Sequence, residues 1–345
     1  MPRVFRSLKH LTFLTSAAAL TSIVIVVGIL STGRRFDIPL LPLSVDKSVS
    51  NVSRTTQITP FVATSQTLSD LTAFPRCRLI NSSDQLANVS LDSFRCVPAK
   101  TSGMTFPICV YEAAEDVWVS KSFIFGGYFE RETVDRFIRL LHRNPDVDFV
   151  DLGANIGTFT LPAARVTHVV AVEPYSLSMA RLFKSIQLGG VQKNVSLVYD
   201  AISDERSTSK LGFYQGNVGG TYLSAVGTDC IGESCTQTIL LDDLLPLMRR
   251  RRAVLKVDVE AHQHRVFTDS TAGKFFQMID VPLIFMEWNG MECKGQNTRS
   301  EVRNLINFFA TRQYRVFSAN GQRMEIKNCH QWSGNVVFSK ESLKF

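Results

Sequence analysis
The chain of 345 residues is long enough for one large domain with additions, or for two small ones. Apolar residues make up 45% and charged residues 20%, the ordinary balance of a folded protein and not that of a disordered chain. The net charge of +7 is modest, and Arg3, Arg6, Lys9, Arg34 and Arg35 carry much of it outside any folded domain, which argues against a nucleic-acid-binding surface.

A short basic tail, residues 1–10, leads into Leu11–Leu30, twenty residues without a charge and about the length that spans a bilayer as a helix. The small residues Ala17–Ala19 lie inside this run and not after it, so an uncleaved signal anchor is expected in place of a signal peptide. Residues 31–75, rich in Ser, Thr and Val, show no apolar period and read as a stem. Sequons begin at Asn51, Asn81, Asn88 and Asn194, and all seven cysteines follow the apolar run. Both facts fit an oxidising, glycosylating lumen. The expectation is a single-pass type II protein of the Golgi or another secretory-pathway membrane. Cysteine connectivity stays open; Cys230–Cys235 closing a small loop and Cys293–Cys329 joining late elements are pairings to look for. With no CxxC or HxxxH pair, no metal site is expected.

Residues 76–120 read as a cysteine-bearing cap, with a short hairpin formed by Cys109–Glu112 and Asp116–Val119. From 121 to 345 the pattern alternates. Thr133–His142 has helical spacing, and Val147–Asp151 suits a buried strand. Gly153 and Gly157 bracket a tight turn, Thr158–Arg165 fits a helix, and His168–Val172 is a strand ending in Glu173. A helix over Ser176–Leu188, a strand over Val195–Ile202 with Asp200, and a hairpin insertion over Leu211–Gly227 follow. Thr238–Leu247 leads into a basic run, Arg249–Arg252, expected to be a solvated loop. Then come a strand over Ala253–Val259, a helix over Gln263–Phe276, a strand over Val281–Glu287, a helix over Glu301–Thr311, and closing strands at Tyr314–Ser318 and Asn335–Ser339. Such alternation implies a mostly parallel sheet with helices on both faces.

The glycine turn lacks the GxGxxG spacing of a dinucleotide site, and Asp151 at its mouth would repel a diphosphate. A cationic ligand without phosphate fits better, and S-adenosylmethionine, with its sulfonium and ammonium groups, is such a ligand. Glu173 lies where a ribose-binding acid should be. Asp151, Glu173, Asp200, Asp258, Glu260 and Glu287 all fall at or beside expected strand ends, where ligands of α/β sheets bind. For proton removal the candidates are Asp258 and Glu260, placed by strand alternation on one face, with His262 and His264 in the following turn. Lys256 shares the parity of the two acids and would pair with them.

Several ordered stretches together resemble the FkbM-type methyltransferases: VDLGANIGTFT at Val150–Thr160, VVAVEP at Val169–Pro174, LLDDLL at Leu240–Leu245, LKVDVE at Leu255–Glu260 and FMEW at Phe285–Trp288. Gly127–Glu130 (GYFE) is similar too, so the resemblance covers roughly residues 120–290. It implies a class I, Rossmann-like methyltransferase fold with a seven-stranded sheet, and transfer of a methyl group from S-adenosylmethionine to an oxygen, often on a sugar. Carried over, Asp151, Gly153, Asn155, Gly157 and Glu173 would line the cofactor, with Asp200 near the adenine, while Asp258 and Glu260 face the reaction centre. The chain departs from the family pattern at Ala261, where glycine is usual, and at Gln263, where a second glutamate is usual. With the anchor, the expectation is a lumenal O-methyltransferase that acts on a glycan, not on nucleic acid. The alternatives are a catalytically silent module of the same fold and a methyltransferase for a lipid or small metabolite.

Overall fold
The computed structural model describes residues 77–340, apart from 83–85, 87–89, 102, 227–229, 231, 233, 290, 292–298 and 333. Leu11–Leu30, the stem, Asn51, Asn88 and Cys293 lie outside the described residues, and among those described no helix is long and apolar enough to cross a membrane.

A hairpin comes first, β1 (Cys96–Thr101) and β2 (Met104–Cys109), joined across its open end by the Cys96–Cys109 disulfide. Helices α1 (Val119–Ile124) and α2 (Arg131–Arg143) follow. The expected hairpin at Cys109–Val119 is therefore displaced. Of its first half only Cys109 is in β2, and its second half is the turn into α1, in which the buried Asp116 caps the helix through the amides of Val119 (3.1 Å) and Ser120 (2.8 Å). An aspartate three residues before a helical amide prefers this cap to a strand.

The next units run β3 (Asp148–Leu152), α3 (Thr160–Ala163), β4 (Val169–Val172), α4 (Ser176–Gly189) and β5 (Val195–Val198). The strand expected through Ile202 breaks at Tyr199–Asp200, and β6 (Ala201–Ile202) pairs elsewhere. The insertion is β7 (Thr208–Tyr214) and β8 (Asn217–Val226), an antiparallel hairpin backed by β9 (Cys235–Ile239). The Cys230–Cys235 disulfide closes the loop before β9, as expected, and Cys329 is also disulfide-bonded. A 3-10 segment, Leu241–Leu247, precedes β10 (Arg252–Val257). The helix expected at 263–276 is two, α5 (Gln263–Val266) and α6 (Asp269–Met278), because Thr268 adopts an extended conformation and caps the second. Then come β11 (Asp280–Glu287), α7 (Ser300–Thr311), β12 (Arg315–Ser318), β13 (Arg323–Met324) and β14 (Asn335–Ser339).

The main sheet has the order β13-β12-β14-β11-β10-β3-β4-β5. Strands β5, β4, β3, β10 and β11 run parallel, and β14 is inserted antiparallel between β11 and β12. This is a doubly wound, Rossmann-like arrangement with an antiparallel strand inserted near one edge and one short strand added at the β12 edge. Residues alternate between two cores: Phe149, Val169 and Ala171 pack on one face, Val150, Val170 and Val172 on the other. The first face is covered by α2, α4 and the β1–β2 hairpin, whose Ala99, Phe106 and Ile108 are buried in the same core. The second is covered by α6, α7 and Leu241–Leu245. The chain leaves β3 toward β4 and β5, then returns to pair β10 on the other side of β3, so the switch point lies between β3 and β10.

Candidate active site
A cavity of about 390 Å³ opens at the carboxyl ends of the strands, over this switch point. Its floor is the loop after β3. Gly153 has φ +81°, and a Cβ there would lie 1.8 Å from the carbonyl oxygen of Asp258, so the loops after β3 and β10 touch backbone to backbone. Only glycine permits that approach. Asn155, at φ 49°, borders the cavity and donates its backbone N–H to Glu173 Oε2 at 2.8 Å. The amide of Tyr175 holds Oε1 of the same carboxylate at 2.9 Å. Burial pushes the Glu173 carboxyl up to about 7, against those two donors. Each oxygen keeps a lone pair, so the group can still accept hydroxyls from the cavity.

Asp151 and Gly157 do not border the cavity. Asp151 is buried behind it, accepting from Thr160 Oγ1 at 2.6 Å and sitting 3.6 Å from Lys256 Nζ. Its influence on a ligand is thus transmitted through Lys256 and is not a direct contact. Gly157 packs under Leu161 and Leu182. Asp200 borders the cavity, but its fully buried carboxylate is gripped by Arg78, whose backbone N–H donates at 2.7 Å and Nε at 2.6 Å. A direct adenine contact would have to share that carboxylate with Arg78.

The opposite wall carries the acid–base groups. Strand β10 ends at Val257, so alternation along a strand does not align Asp258 and Glu260. A turn does: Glu260 and Ala261 both adopt left-handed conformations, φ 50° and 63°. That turn brings the carboxylates of Asp258, Glu260 and Glu287, the last from the end of β11, within 4.8 Å of one another. Lys256 reaches into the group, with Nζ 3.4 Å from Asp258 Oδ2 and donating to the Gly153 carbonyl at 2.9 Å. Burial alone would lower its pKa, but Asp258, Asp151 and Glu130 together hold it above the ordinary lysine value. Burial, then the Asp258 charge, pushes Glu260 up to about 7. Burial, the Asp258 carboxylate hydrogen-bonded to it, and Glu260 push Glu287 up to about 9, against a 3.1 Å donation from Asn289. Glu287 therefore holds a proton at neutral pH, beside the Asp258 carboxylate, and Glu260 titrates near neutrality.

The histidines behave differently from expectation. His262 borders the cavity, but burial and the nearby charges of Arg265 and His264 push it down to about 4, and its Nε2 is bonded to Ser203 Oγ at 3.0 Å. It is too weak a base near pH 7. His264 does not border the cavity and is tied to the Ala261 carbonyl at 3.0 Å. Glu130, Glu287 and Asn335 were not assigned roles by sequence reasoning. Glu130, left-handed at φ 52° before α2, borders the cavity and accepts from Asn335 Nδ2 at 3.0 Å. The GYFE stretch and the strand-end position of Glu287 were the available signals.

The departures at 261 and 263 lie off the cavity. Gln263 is fully buried and donates Nε2 to the Glu287 carbonyl at 3.1 Å, fixing the end of β11. The basic run sits at the opposite end of the sheet. The amides of Arg249 and Arg250 and the Arg250 guanidinium all donate to the buried Asp148, so the run clamps β3.

No family model matches the chain, and no curated protein matches it. Solved structures similar to it include a precorrin-6y C5,15-methyltransferase from Geobacter metallireducens, at 12% identity over 61% of this chain and 89% of that one, TM-score 0.32. An O-methyltransferase from Bacillus cereus solved with SAH is 10% identical over 61% and 81%, TM-score 0.33. A T. thermophilus 16S rRNA methyltransferase in complex with AdoMet and guanosine is 13% identical over 72% and 51%, TM-score 0.35. Overlaps this weak bear on neither donor nor acceptor.

Proposed function
We propose that the protein is an S-adenosylmethionine-dependent O-methyltransferase, held in a secretory-pathway membrane by residues 11–30 and acting in the lumen on a hydroxyl of a glycan. One observation carries the donor assignment. Glu130, Glu173, Asp258 and Glu260 border the cavity, with protonated Glu287 beside them. Among the described residues lining it Lys256, already shared by Asp151 and Asp258, is the one ammonium; Asp200, also on the wall, is matched by Arg78. That wall disfavours a diphosphate and suits a ligand carrying sulfonium and ammonium charge. The touching loops at Gly153 and the doubly anchored Glu173 suit an amino-acid tail and a ribose.

Bound there, S-adenosylmethionine supplies a methyl group already activated by positive sulfur. The chain must align the acceptor and take its proton. Glu260, titrating near neutrality beside Lys256, is the base; Glu287 keeps its proton and limits the negative charge at the wall. The disulfides and the exposed sequon residues Asn81 and Asn194 support the lumenal placement. The departures at 261 and 263, lying off the cavity, give no support to a silent module.

The test is transfer of an isotope-labelled methyl group by the full-length chain in detergent to oligosaccharides of secreted glycoproteins. Label should enter the glycans, and Glu260→Gln should lower the rate by about 10²–10⁴-fold, the usual worth of a positioned base. Label entering only lipids or small metabolites would replace the glycan; donor binding without any transfer would favour the silent module. A chelator should leave transfer unchanged, because Lys256 and the proton on Glu287 already offset the three acids. Loss of transfer on chelation, restored by a divalent cation, would place a metal among Asp258, Glu260 and Glu287.

A further inference from the structure
The cavity mouth holds aromatic rings that core packing does not require. Trp118 borders it with 62% of its surface exposed, and Tyr222 lines it together with Gly219 and Gly220 of β8; Tyr214, 52% exposed, is not on the lining but packs against Tyr222. The Tyr214 and Tyr222 rings are 4.9 Å apart at 35°. A Cβ at Gly212 would meet the Tyr222 ring at 2.4 Å, so the ring lies flat on bare backbone. Tyr222 and Glu260 line the same cavity, so the hairpin wall and the acid–base wall face one pocket.

These rings are held and not merely exposed. The Asp116 cap fixes the turn that carries Trp118. That turn is stitched to the hairpin tip by Val117 N–H to the Gly216 carbonyl at 3.0 Å and Val218 N–H to the Glu115 carbonyl at 3.2 Å. Two elements far apart in sequence thus form one aromatic rim around a carboxylate-rich pocket.

We propose that Trp118, Tyr214 and Tyr222 form an acceptor platform that takes the C–H face of a neutral, hydroxyl-rich sugar ring beside Asp258, Glu260 and Glu287. Aromatic faces carry partial negative charge and attract the polarised C–H groups of a pyranose. Carboxylates accept from its adjacent hydroxyls. The same carboxylates repel sialylated or sulfated sugars, so the platform selects neutral glycans. The inference deepens the methyl-transfer reading, but sugar binding is measured without a donor, and the two stand or fall separately.

The experiment is calorimetry on the full-length chain in detergent with a high-mannose oligosaccharide, a neutral lactosamine oligosaccharide, its sialylated form, and catechol as a planar aromatic acceptor. At least one neutral oligosaccharide should bind. Trp118→Ala and Tyr222→Ala should each weaken it by about tenfold, the equivalent of one ring contact. Trp118→Phe should retain most of the affinity, and S-adenosylhomocysteine should bind all variants as it binds the parent, which shows them folded. The proposal is overturned if no neutral sugar binds the parent, if Trp118→Ala leaves sugar affinity unchanged, or if the sialylated sugar or catechol binds in its place. Sugar binding without S-adenosylhomocysteine binding would keep the platform and remove the methyl-transfer reading.

Discussion
Glu260 acquires its position from a backbone conformation that side-chain patterning does not encode. Alternation along a strand correctly picked Asp258 and Glu260 as partners, yet the strand ends before either of them, and a left-handed turn at Glu260 and Ala261 brings them together. Glu130 escaped assignment for a related reason: it joins the site through tertiary contact, which no local spacing records, whereas Glu287 was expected at a strand end and only its chemical role was missed. Ala261 stands in a left-handed conformation at φ 63°, where a Cβ costs about 1 kcal/mol. Ala261→Gly should therefore stabilise the chain by up to about 1 kcal/mol in a denaturant melt, with donor affinity unchanged; destabilisation would mean that the methyl group packs usefully. Glu173 makes a second prediction. A ribose hydroxyl bonded to its carboxylate favours the ionised form, so donor binding must release a proton from a group that sits near 7. Affinity for S-adenosylhomocysteine should rise between pH 6 and pH 8 and then level off. Glu173→Gln should abolish that slope as well as weaken binding.

The strands and helices of the sheet were legible wherever apolar residues recur with a clear period, as in Val147–Asp151 or Ser176–Leu188. The β1–β2 hairpin was not. Its paired Pro98 and Pro107 withhold ladder amides, so the stretch reads as coil, and the Cys96–Cys109 bridge and packing against α4 hold it in place. The basic run was legible in part: Arg249 and Arg251 are exposed in a loop, as expected, but the amides of Arg249 and Arg250 and the Arg250 guanidinium also serve Asp148, buried at the start of β3, which the run of charge alone does not reveal. Arg250→Ala should cost about 1–2 kcal/mol in stability, from the lost hydrogen bond to a buried carboxylate, without altering donor affinity. A change in glycan affinity with stability intact would assign the run to binding instead.

The protein gathers six of its carboxylates on one rim, and that arrangement has a cost which pH should expose. Glu173 and Glu260, at about 7, and Glu287, at about 9, all lie above the ordinary value of 4.5, chiefly through burial. A carboxyl whose folded pKa is raised contributes stability that is complete below its unfolded pKa and lost as pH rises through the folded one. The ligand-free chain should therefore melt at progressively lower temperature from pH 5.5 to 9.5, and Glu287→Gln should flatten the upper part of that decline. A melting temperature that rises across the range would remove the charge crowding on which the donor assignment rests. Donor identity itself is decided by calorimetric titration of the full-length chain in detergent with S-adenosylhomocysteine, alongside NAD and ATP. Saturable binding of S-adenosylhomocysteine, with none of the two phosphate-bearing nucleotides, is the expected result. Binding of NAD or ATP with no response to S-adenosylhomocysteine would contradict a pocket built for positive charge.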